Sequence, residues 1–415
     1  MLFKIMDYMQ DKFVDAYRKN VVGCDRKIYT RDGEKTLVYA DWAASGRLYR
    51  PIEEKICDEV GPFYGNTHSI DSHIGRHINS VYEQARATIL NACNAVEKYE
   101  LIIGGSGATF ALHRFQEIMS ISTIDKVVVF ISRYEHNTNY LTWISLRAEV
   151  VILDSDINGN MNLNFLEEQL KKYVVYDLII GSFTACSNVT GIMTNYIEAA
   201  KIVKEYNGIG IVDYSTLAPH TVLDFSDGVI DAAYWGIHKF LGGPSGPGIL
   251  LFKTELYKRE IPTIPSGGTV LWADPAQRVV FFDEISKRED PGTPAILQTV
   301  RASLAHLLIS EIGGDFIYLR ELHFSKYLIN ALMNTESIHV FLANHLNRKP
   351  IVSFIIDGLS HNIVTQILSD FYGIQARSGC SCATIYAHEL LNINDDYSNT
   401  IYQQMKSGNY KNKPG

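Results

Sequence analysis

Apolar and polar positions follow two different patterns along the first two thirds of the chain, one typical of strands and one typical of helices. Short apolar runs of strand length lie at 101–103, 127–132, 178–183, 209–212, 232–235 and 248–251. Patterns typical of helices separate most of these runs. Regular alternation of strands and helices from Tyr39 to about Phe252 is typical of a mostly parallel sheet with helices on both faces. The predicted fold class is therefore α/β.

A break in this pattern follows the last of these strands. The residues that mark it are Pro262, Pro265, Gly267 and Gly268. The elements predicted after it are a long helix over 293–312, a strand over 350–356 and a helix from His361. We expect a large domain over 36–270 and a smaller α+β domain formed by 1–35 together with 271–415.

Polar side chains follow four of the predicted strands. They are His136, Asn188, Asp213 and Lys239. Ligands of open α/β sheets bind beyond the carboxyl ends of the strands, so these groups are expected to share one site. Each also has an ordinary alternative, as a loop histidine, a turn residue, a helix N-cap or a surface lysine. Their occurrence together, in this order, favours the site.

Lys239 carries the most specific chemistry of the four. It ends the apolar segment that begins at Asp231, and a stretch dense in glycine and proline follows it. Desolvation at the end of a buried strand disfavours the ammonium, so the neutral amine can attack an aldehyde. The glycines allow the backbone to approach a bulky ligand closely. This is the arrangement that a Schiff-base lysine for pyridoxal phosphate requires.

A turn of small residues, Gly104–Thr109, joins an apolar strand to a helical pattern. Such a turn presents free backbone N–H groups and the positive end of the helix dipole, which suits a phosphate group. Many strand–turn–helix junctions have the same composition. The turn supports a cofactor site only in combination with the strand-end residues.

Composition excludes several classes of protein. The 415 residues are 46% hydrophobic and carry a formal net charge of −8, and no basic block indicates a nucleic-acid footprint. No apolar run reaches the length of a membrane span. Apolar positions 2, 3, 6, 9, 13 and 17 indicate an amphipathic helix rather than a signal peptide. Six widely spaced cysteines are compatible with reduced thiols, so a cytoplasmic enzyme is expected.

Several short motifs together resemble the class V aminotransferase superfamily, a group of fold type I pyridoxal phosphate enzymes. Within it the sequence is most similar to the cysteine desulfurase and selenocysteine lyase branch. The resemblance extends from about Tyr39 to about Leu391. The motifs are Tyr39–Gly46, Gly104–Thr109, Glu135–Asn139, Ser187–Gly191, Val212–Asp213 with Ala218–His220, His238–Lys239, Gly267–Thr269, Gly292–Pro294 and Arg377–Ala383.

The resemblance implies pyridoxal 5'-phosphate as cofactor and a role for each matching residue. Lys239 would form the Schiff base and act as acid and base, and His136 would stack on the ring. The remaining cofactor contacts would be Asp213 at the ring nitrogen, Asn188 and Thr216 near the ring hydroxyl, Gly107, Ala108, Thr109 and His238 at the phosphate, and Thr269 at the phosphate of a neighbouring subunit. A homodimer is therefore expected.

Substrate binding and sulfur chemistry are also implied by the resemblance. Arg377 would bind the substrate carboxylate, with Asn188 and His68 nearby. Cys382 falls at the family's persulfide-forming cysteine, and we favour it over Cys380 because a catalytic thiol needs a cationic neighbour. Two positions depart from the family pattern: Thr216 replaces a common glutamine, and Gly236 replaces a common serine.

The segment Asn66–His77 contains three histidines and an aspartate. Metal ligation is one alternative, but the spacing matches no helical ligand motif. We predict no metal site. The resemblance implies instead a loop near the substrate entrance.

The resulting hypothesis is a cysteine desulfurase-like enzyme that converts L-cysteine to L-alanine. Cys382 would take the sulfur as a persulfide and pass it to an acceptor, which can be a protein. The alternatives are a selenocysteine lyase or other C–S lyase, a class V aminotransferase, and a non-catalytic scaffold. The family normally continues with another strand and a closing helix after the cysteine loop. Either the small domain lacks these elements or the sequence is incomplete.

Overall fold

A computed structural model describes residues 13–67, 69–156, 159–345, 347–409 and 414. The strands in chain order are β1 (Lys27–Thr30), β2 (Gly33–Thr36), β3 (Val38–Tyr39), β4 (Tyr99–Gly104), β5 (Val127–Ser132), β6 (Glu149–Leu153), β7 (Leu178–Thr184), β8 (Ile209–Asp213), β9 (Ala232–Gly236), β10 (Gly248–Lys253), β11 (Val270–Ala273), β12 (Val279–Phe281), β13 (Ile338–Val340), β14 (Phe354–Ile356) and β15 (Ile374–Gln375).

Residues 13–18 are helical, and the earlier part of the predicted N-terminal helix lies outside the described residues. The α-helices that follow are α1 (Arg50–Glu54), α2 (His73–Ala92), α3 (Gly107–Ile118), α4 (Thr138–Ser145), α5 (Leu163–Leu170), α6 (Tyr196–Glu205), α7 (Ile285–Arg288), α8 (Ile296–Ile312), α9 (Gly314–Met333), α10 (His361–Tyr372), α11 (Thr384–Leu390) and α12 (Asp395–Lys406). None of these helices combines the length and apolar character needed to cross a bilayer.

A seven-stranded sheet forms the centre of the molecule, in the order β4-β10-β9-β8-β7-β5-β6. Neighbouring strands from β9 to β6 are parallel, whereas β10 is antiparallel to both of its neighbours. The prediction of an α/β fold with a mostly parallel sheet is confirmed. The parallel strands place their carboxyl ends along one edge, where ligands of such sheets bind.

Strand β5 shows why the apolar runs in the sequence are continuous rather than alternating. All six of its residues are buried. Val129 packs in a cluster with Leu112 of α3, whereas Phe130 packs on the opposite face with Leu166 of α5. Both faces of a parallel strand are covered by helices, so both sets of alternating side chains must be apolar.

The part of the chain that follows the central sheet forms hydrogen bonds with the part that precedes it. Strand β15 pairs in parallel with β3, with Ile374 opposite Val38, and the Arg31 N–H donates to the Asp370 carbonyl at 2.7 Å. The region before residue 40 is thus joined to the C-terminal region. The exact domain boundaries stay a prediction.

Candidate active site

Four neighbouring parallel strands bring the predicted strand-end residues together. His136, Asn188, Asp213 and Lys239 come at or just after the ends of β5, β7, β8 and β9. Asp213 and Arg377 both influence the pKa of His136 and that of Lys239. These four residues therefore lie close to one another.

Lys239 is the cation at the centre of this site. Burial lowers the pKa of its ammonium, and Arg377 lowers it further, whereas Asp213, Cys186 and Cys382 act in the opposite direction. The residue is only partly buried by surface area, so its amine is desolvated while a path to solvent remains. Desolvation favours the neutral, nucleophilic amine.

His136 is held as a neutral ring in a defined orientation. The Thr138 N–H donates to Nδ1 at 3.1 Å, so in the neutral ring the proton is on Nε2. Burial lowers the pKa of His136, with smaller contributions from Lys239 and Arg377, and Asp213 opposes them. A flat, uncharged imidazole therefore faces the site.

Asp213 is buried, with 5% of its surface exposed. Its Oδ1 accepts the Ser215 N–H at 2.8 Å. In the sheet it lies opposite Tyr234. Burial keeps the pKa of Tyr234 far above its ordinary value, and the Asp213 carboxylate adds to this effect. The strand end therefore presents a carboxylate that can hold a protonated nitrogen close to Lys239.

Glu135 directly precedes His136 in the chain. The sequence analysis did not identify it as a site residue. Its Oε1 accepts the Ser132 hydroxyl at 2.5 Å and the Thr184 N–H at 2.8 Å, and its Oε2 accepts the Asn139 amide at 2.8 Å. Burial raises its pKa to about 7, and the charge of Asp213 contributes. The carboxyl thus joins the ends of β5 and β7. The signal available in the sequence was an acidic residue just after the apolar run of β5.

The start of α3 has no side-chain cap from its N-cap residue. Its N-cap, Ser106, makes no side-chain hydrogen bond to the helix, so the first N–H groups are not capped by it. Gly107 has φ +70°, and a Cβ there would lie 3.3 Å from Cε1 of His238. A Cβ on Gly236 would lie 2.6 Å from the same atom. The two glycines leave room for the His238 ring, whose pKa is lowered by burial and by Lys239.

Cys382 lies on a loop that is bonded to the strand-end turns. Its side chain is exposed, whereas Cys380 is half-buried. The Cys382 carbonyl accepts the Asn137 N–H at 2.6 Å, and the Ser381 carbonyl accepts the Asn188 amide at 2.6 Å. The thiol is close enough to Lys239 to influence its pKa.

Arg377 is paired with an acid that the sequence analysis missed. Its Nε lies 3.4 Å from Oδ1 of Asp41. Asp41 comes two residues after β3 and Arg377 two residues after β15, and Tyr39 lies opposite Gln375 in this parallel pair. The register of the two short strands therefore sets the ion pair.

Comparison with known proteins decides the family of this chain. The family model described as Aminotransferase class-V matches residues 38–401. The chain belongs to the class V aminotransferase family.

Several relatives and solved structures that are similar to this class V chain are named as cysteine desulfurases. A probable cysteine desulfurase of Borreliella burgdorferi is 24% identical over 369 residues, covering 88% of this chain and 86% of the relative. One of Halobacterium salinarum is 25% identical over 395 residues, covering 92% and 90%. The solved apo structure of a cysteine desulfurase from Thermococcus onnurineus NA1 superposes with a TM-score of 0.77 at 19% identity, covering 95% and 97%. The predicted family and fold are confirmed, and the relatives' names agree with the predicted branch.

Not every predicted residue of this class V protein is placed at the site. Thr269 is fully buried, and its hydroxyl donates to the Ser266 carbonyl at 2.9 Å, so a contact with a neighbouring subunit stays a prediction. Thr216 is buried beside Ser215. His68 lies outside the described residues. Within the described part of the chain, there is no cluster of three or more histidine, cysteine, aspartate or glutamate side chains that could hold a metal ion.

Proposed function

We propose that this protein is a pyridoxal phosphate-dependent cysteine desulfurase, which converts L-cysteine to L-alanine and collects the sulfur on Cys382. The observation that carries the proposal is the combination of a desolvated Lys239 with a carboxylate, Asp213, and a thiol, Cys382, within its electrostatic reach. The names of the class V relatives support the same reaction.

The residues present fit the cofactor. The uncapped start of α3 suits a phosphate, and the His238 ring lies against Gly107 at this helix start. Asp213 provides the charge for a ring nitrogen, and Lys239 provides the amine. Pyridoxal phosphate, when bound, supplies an aldehyde for the lysine and a ring that accepts electrons from the substrate.

The chain's own residues perform the other tasks. Arg377 binds the substrate carboxylate, because a planar guanidinium matches its two oxygens. Lys239 takes the proton from the α-carbon and returns protons to the product. Cys382 attacks the substrate sulfur, so that a sulfur–sulfur bond forms as the bond between sulfur and Cβ breaks. The products are alanine and a persulfide on Cys382.

A homodimer is part of the proposal. The hairpin of β11 and β12 comes directly after Thr269 and exposes four large apolar side chains. They are Leu271, Trp272, Val279 and Val280. A second copy of the chain would remove this surface from water. The cytoplasm is the proposed location, supported by the six unpaired cysteines.

The decisive experiment incubates the purified, cofactor-loaded protein with L-cysteine, L-selenocysteine and other amino acids and identifies the products. A desulfurase forms alanine from cysteine in equal amount with persulfide, and releases sulfide when a reductant is added. Release of the substrate's selenium or sulfur without an enzyme persulfide would indicate a lyase. Keto acid formation would indicate an aminotransferase, and failure to bind the cofactor would indicate a scaffold.

A further inference from the structure

Asn137 immediately follows His136 and occupies the N-cap position of α4. Its side chain makes no hydrogen bond to that helix. Its Oδ1 instead accepts the Thr384 N–H at 3.0 Å, and Thr384 is the first residue of α11. Ala383, the N-cap of α11, has no side-chain oxygen for this task. A residue of the His136 turn therefore caps the helix that follows the cysteine loop.

The backbone of Asn137 bonds to the same loop. Its N–H donates to the carbonyl of Cys382 at 2.6 Å. One residue thus contacts the main chain directly at Cys382 and two positions beyond it. These two hydrogen bonds fix both the position and the direction of the loop relative to the His136 turn.

The loop itself has a conformation that needs support. Ser381 and Cys382 have φ of +49° and +57°. Residues other than glycine rarely adopt this left-handed backbone conformation. Such conformations persist where surrounding contacts hold them. The contacts here include the two hydrogen bonds of Asn137, the bond from the Asn188 amide to the Ser381 carbonyl at 2.6 Å, and the bond from the Ala383 N–H to the Cys380 carbonyl at 2.9 Å.

We infer that Asn137 is a positioning residue that holds the Cys382 thiol in register with the amino-acid substrate. The inference rests on the proposed function, since it assumes that Cys382 accepts sulfur. Transfer of an atom between two centres is sensitive to displacements of about 1 Å, which can reduce a rate by about a hundredfold. A loop bonded to the turn that orients His136 keeps the nucleophile at a fixed distance from the reacting centre.

The test uses three variants of the cofactor-loaded protein. Asn137→Ala removes the Oδ1 acceptor and keeps the backbone N–H. Asn137→Asp keeps an oxygen that can accept the Thr384 N–H. Asn162→Ala is the matched control, because Asn162 also accepts a helix N–H through Oδ1, from Phe165 at the start of α5 at 3.0 Å, and has no part in the site.

Two readouts are measured on each variant. The first is hydrogen–deuterium exchange of the peptide that covers 377–384, which measures how well the backbone N–H groups of the loop are protected and does not depend on turnover. The second is kcat and KM for alanine formation from cysteine, measured from pH 7 to pH 9 so that a change in thiol ionisation is separated from a change in position.

We expect Asn137→Ala to increase exchange in 377–384 at least tenfold and to lower kcat at least tenfold, with KM within twofold. Asn137→Asp should recover most of both quantities, and Asn162→Ala should leave both unchanged. Faster exchange with an unchanged kcat would overturn the inference, and so would a lower kcat with unchanged exchange.

Failure of the proposed function has a different signature. If Cys382→Ser forms alanine from cysteine at the wild-type rate, Cys382 is not the sulfur acceptor, and the positioning role falls with it. If Cys382→Ser abolishes alanine formation while Asn137→Ala is fully active, the function stands and only the inference about Asn137 is wrong.

Discussion

The guanidinium of Arg377 is paired with Asp41 through Nε, at 3.4 Å from Oδ1. Among the described residues no ion pair engages its two Nη groups. Because a carboxylate is recognised by two parallel N–H groups, this arrangement leaves the Nη side for a substrate while Asp41 orients the plane. Both side chains are partly exposed, at 45% and 23%, so the effect of the pair on stability is small.

Removing Asp41 should therefore affect substrate binding more than turnover. We expect Asp41→Ala to raise KM for cysteine about two- to fivefold, in line with the loss of one partly exposed ion pair, and to change kcat less than twofold. Asp41→Asn should have a smaller effect because it keeps a polar oxygen of the same shape beside Nε. Steady-state kinetics checks this, and a fall in KM would show that Asp41 competes with the substrate.

Asp213 should matter far more than its buried neighbour Thr216. Asp213→Ala removes the charge partner proposed for the ring nitrogen and is expected to lower kcat at least a hundredfold. Thr216→Ala removes at most one neutral hydrogen bond, worth about 0.5–1.5 kcal/mol, and should cost tenfold or less. Equal losses in kcat would show that Asp213 has another role.

Cys382→Ser should form no persulfide and should lose alanine formation by several powers of ten, because a hydroxyl is a poor nucleophile beside a thiolate. Binding of cysteine should persist, since Lys239, Asp213 and Arg377 are unchanged. Cys380→Ser is the matched control and should retain most activity. Mass spectrometry of the enzyme and quantification of alanine distinguish the two thiols.

Lys239 should carry the cofactor covalently. Borohydride reduction of the loaded protein followed by peptide mapping should place the pyridoxyl group on Lys239, whose amine is desolvated at the end of β9. Lys239→Ala should show no label in this peptide and no alanine formation. A label on another lysine in the wild-type protein would contradict the proposed site.

Glu135 should make the free energy of unfolding depend on pH. Its pKa is raised to about 7 from 4.5, so the unfolded chain loses this proton at lower pH than the native protein. The stabilising contribution is present below pH 4.5 and is lost as the pH rises through 7. Relative to Glu135→Gln, the wild type should lose roughly 2 to 3 kcal/mol between pH 5 and pH 8.

Urea unfolding at several pH values measures this difference. Glu168→Gln is the control, because it makes the same substitution at a solvent-exposed position. A difference between wild type and Glu135→Gln that does not change with pH would contradict the raised pKa of Glu135.

The sequence predicted those site residues that follow from local pattern. Lys239 and Asp213 end continuous apolar runs, and the parallel order of these runs brings the ends together. Asp41 and Asn137 could not be found in this way, because their partners, Arg377 and Thr384, are distant in the chain. The contacts depend on the pairing of β3 with β15 and on the conformation of the cysteine loop.

The predicted strand over 350–356 is shorter in the structure, where β14 covers only Phe354–Ile356. The preceding residues bond to a loop rather than to a strand. The Lys349 N–H donates to the Gly191 carbonyl at 2.7 Å, and the Ser353 hydroxyl donates to the Val189 carbonyl at 2.6 Å. An apolar run indicates that a segment is partly removed from water, as residues 351–356 are, but it does not show which backbone groups it meets.

The pairing of β3 with β15 has a consequence during synthesis of the protein. Arg377 leaves the ribosome more than 300 residues after Asp41, a delay of roughly 15 to 70 seconds at about 5–20 residues per second. Every strand of the central sheet precedes residue 254. A nascent chain therefore contains Lys239 and Asp213 well before Arg377 is synthesised, so the part of the site proposed to hold the cofactor can form before the part proposed to bind cysteine.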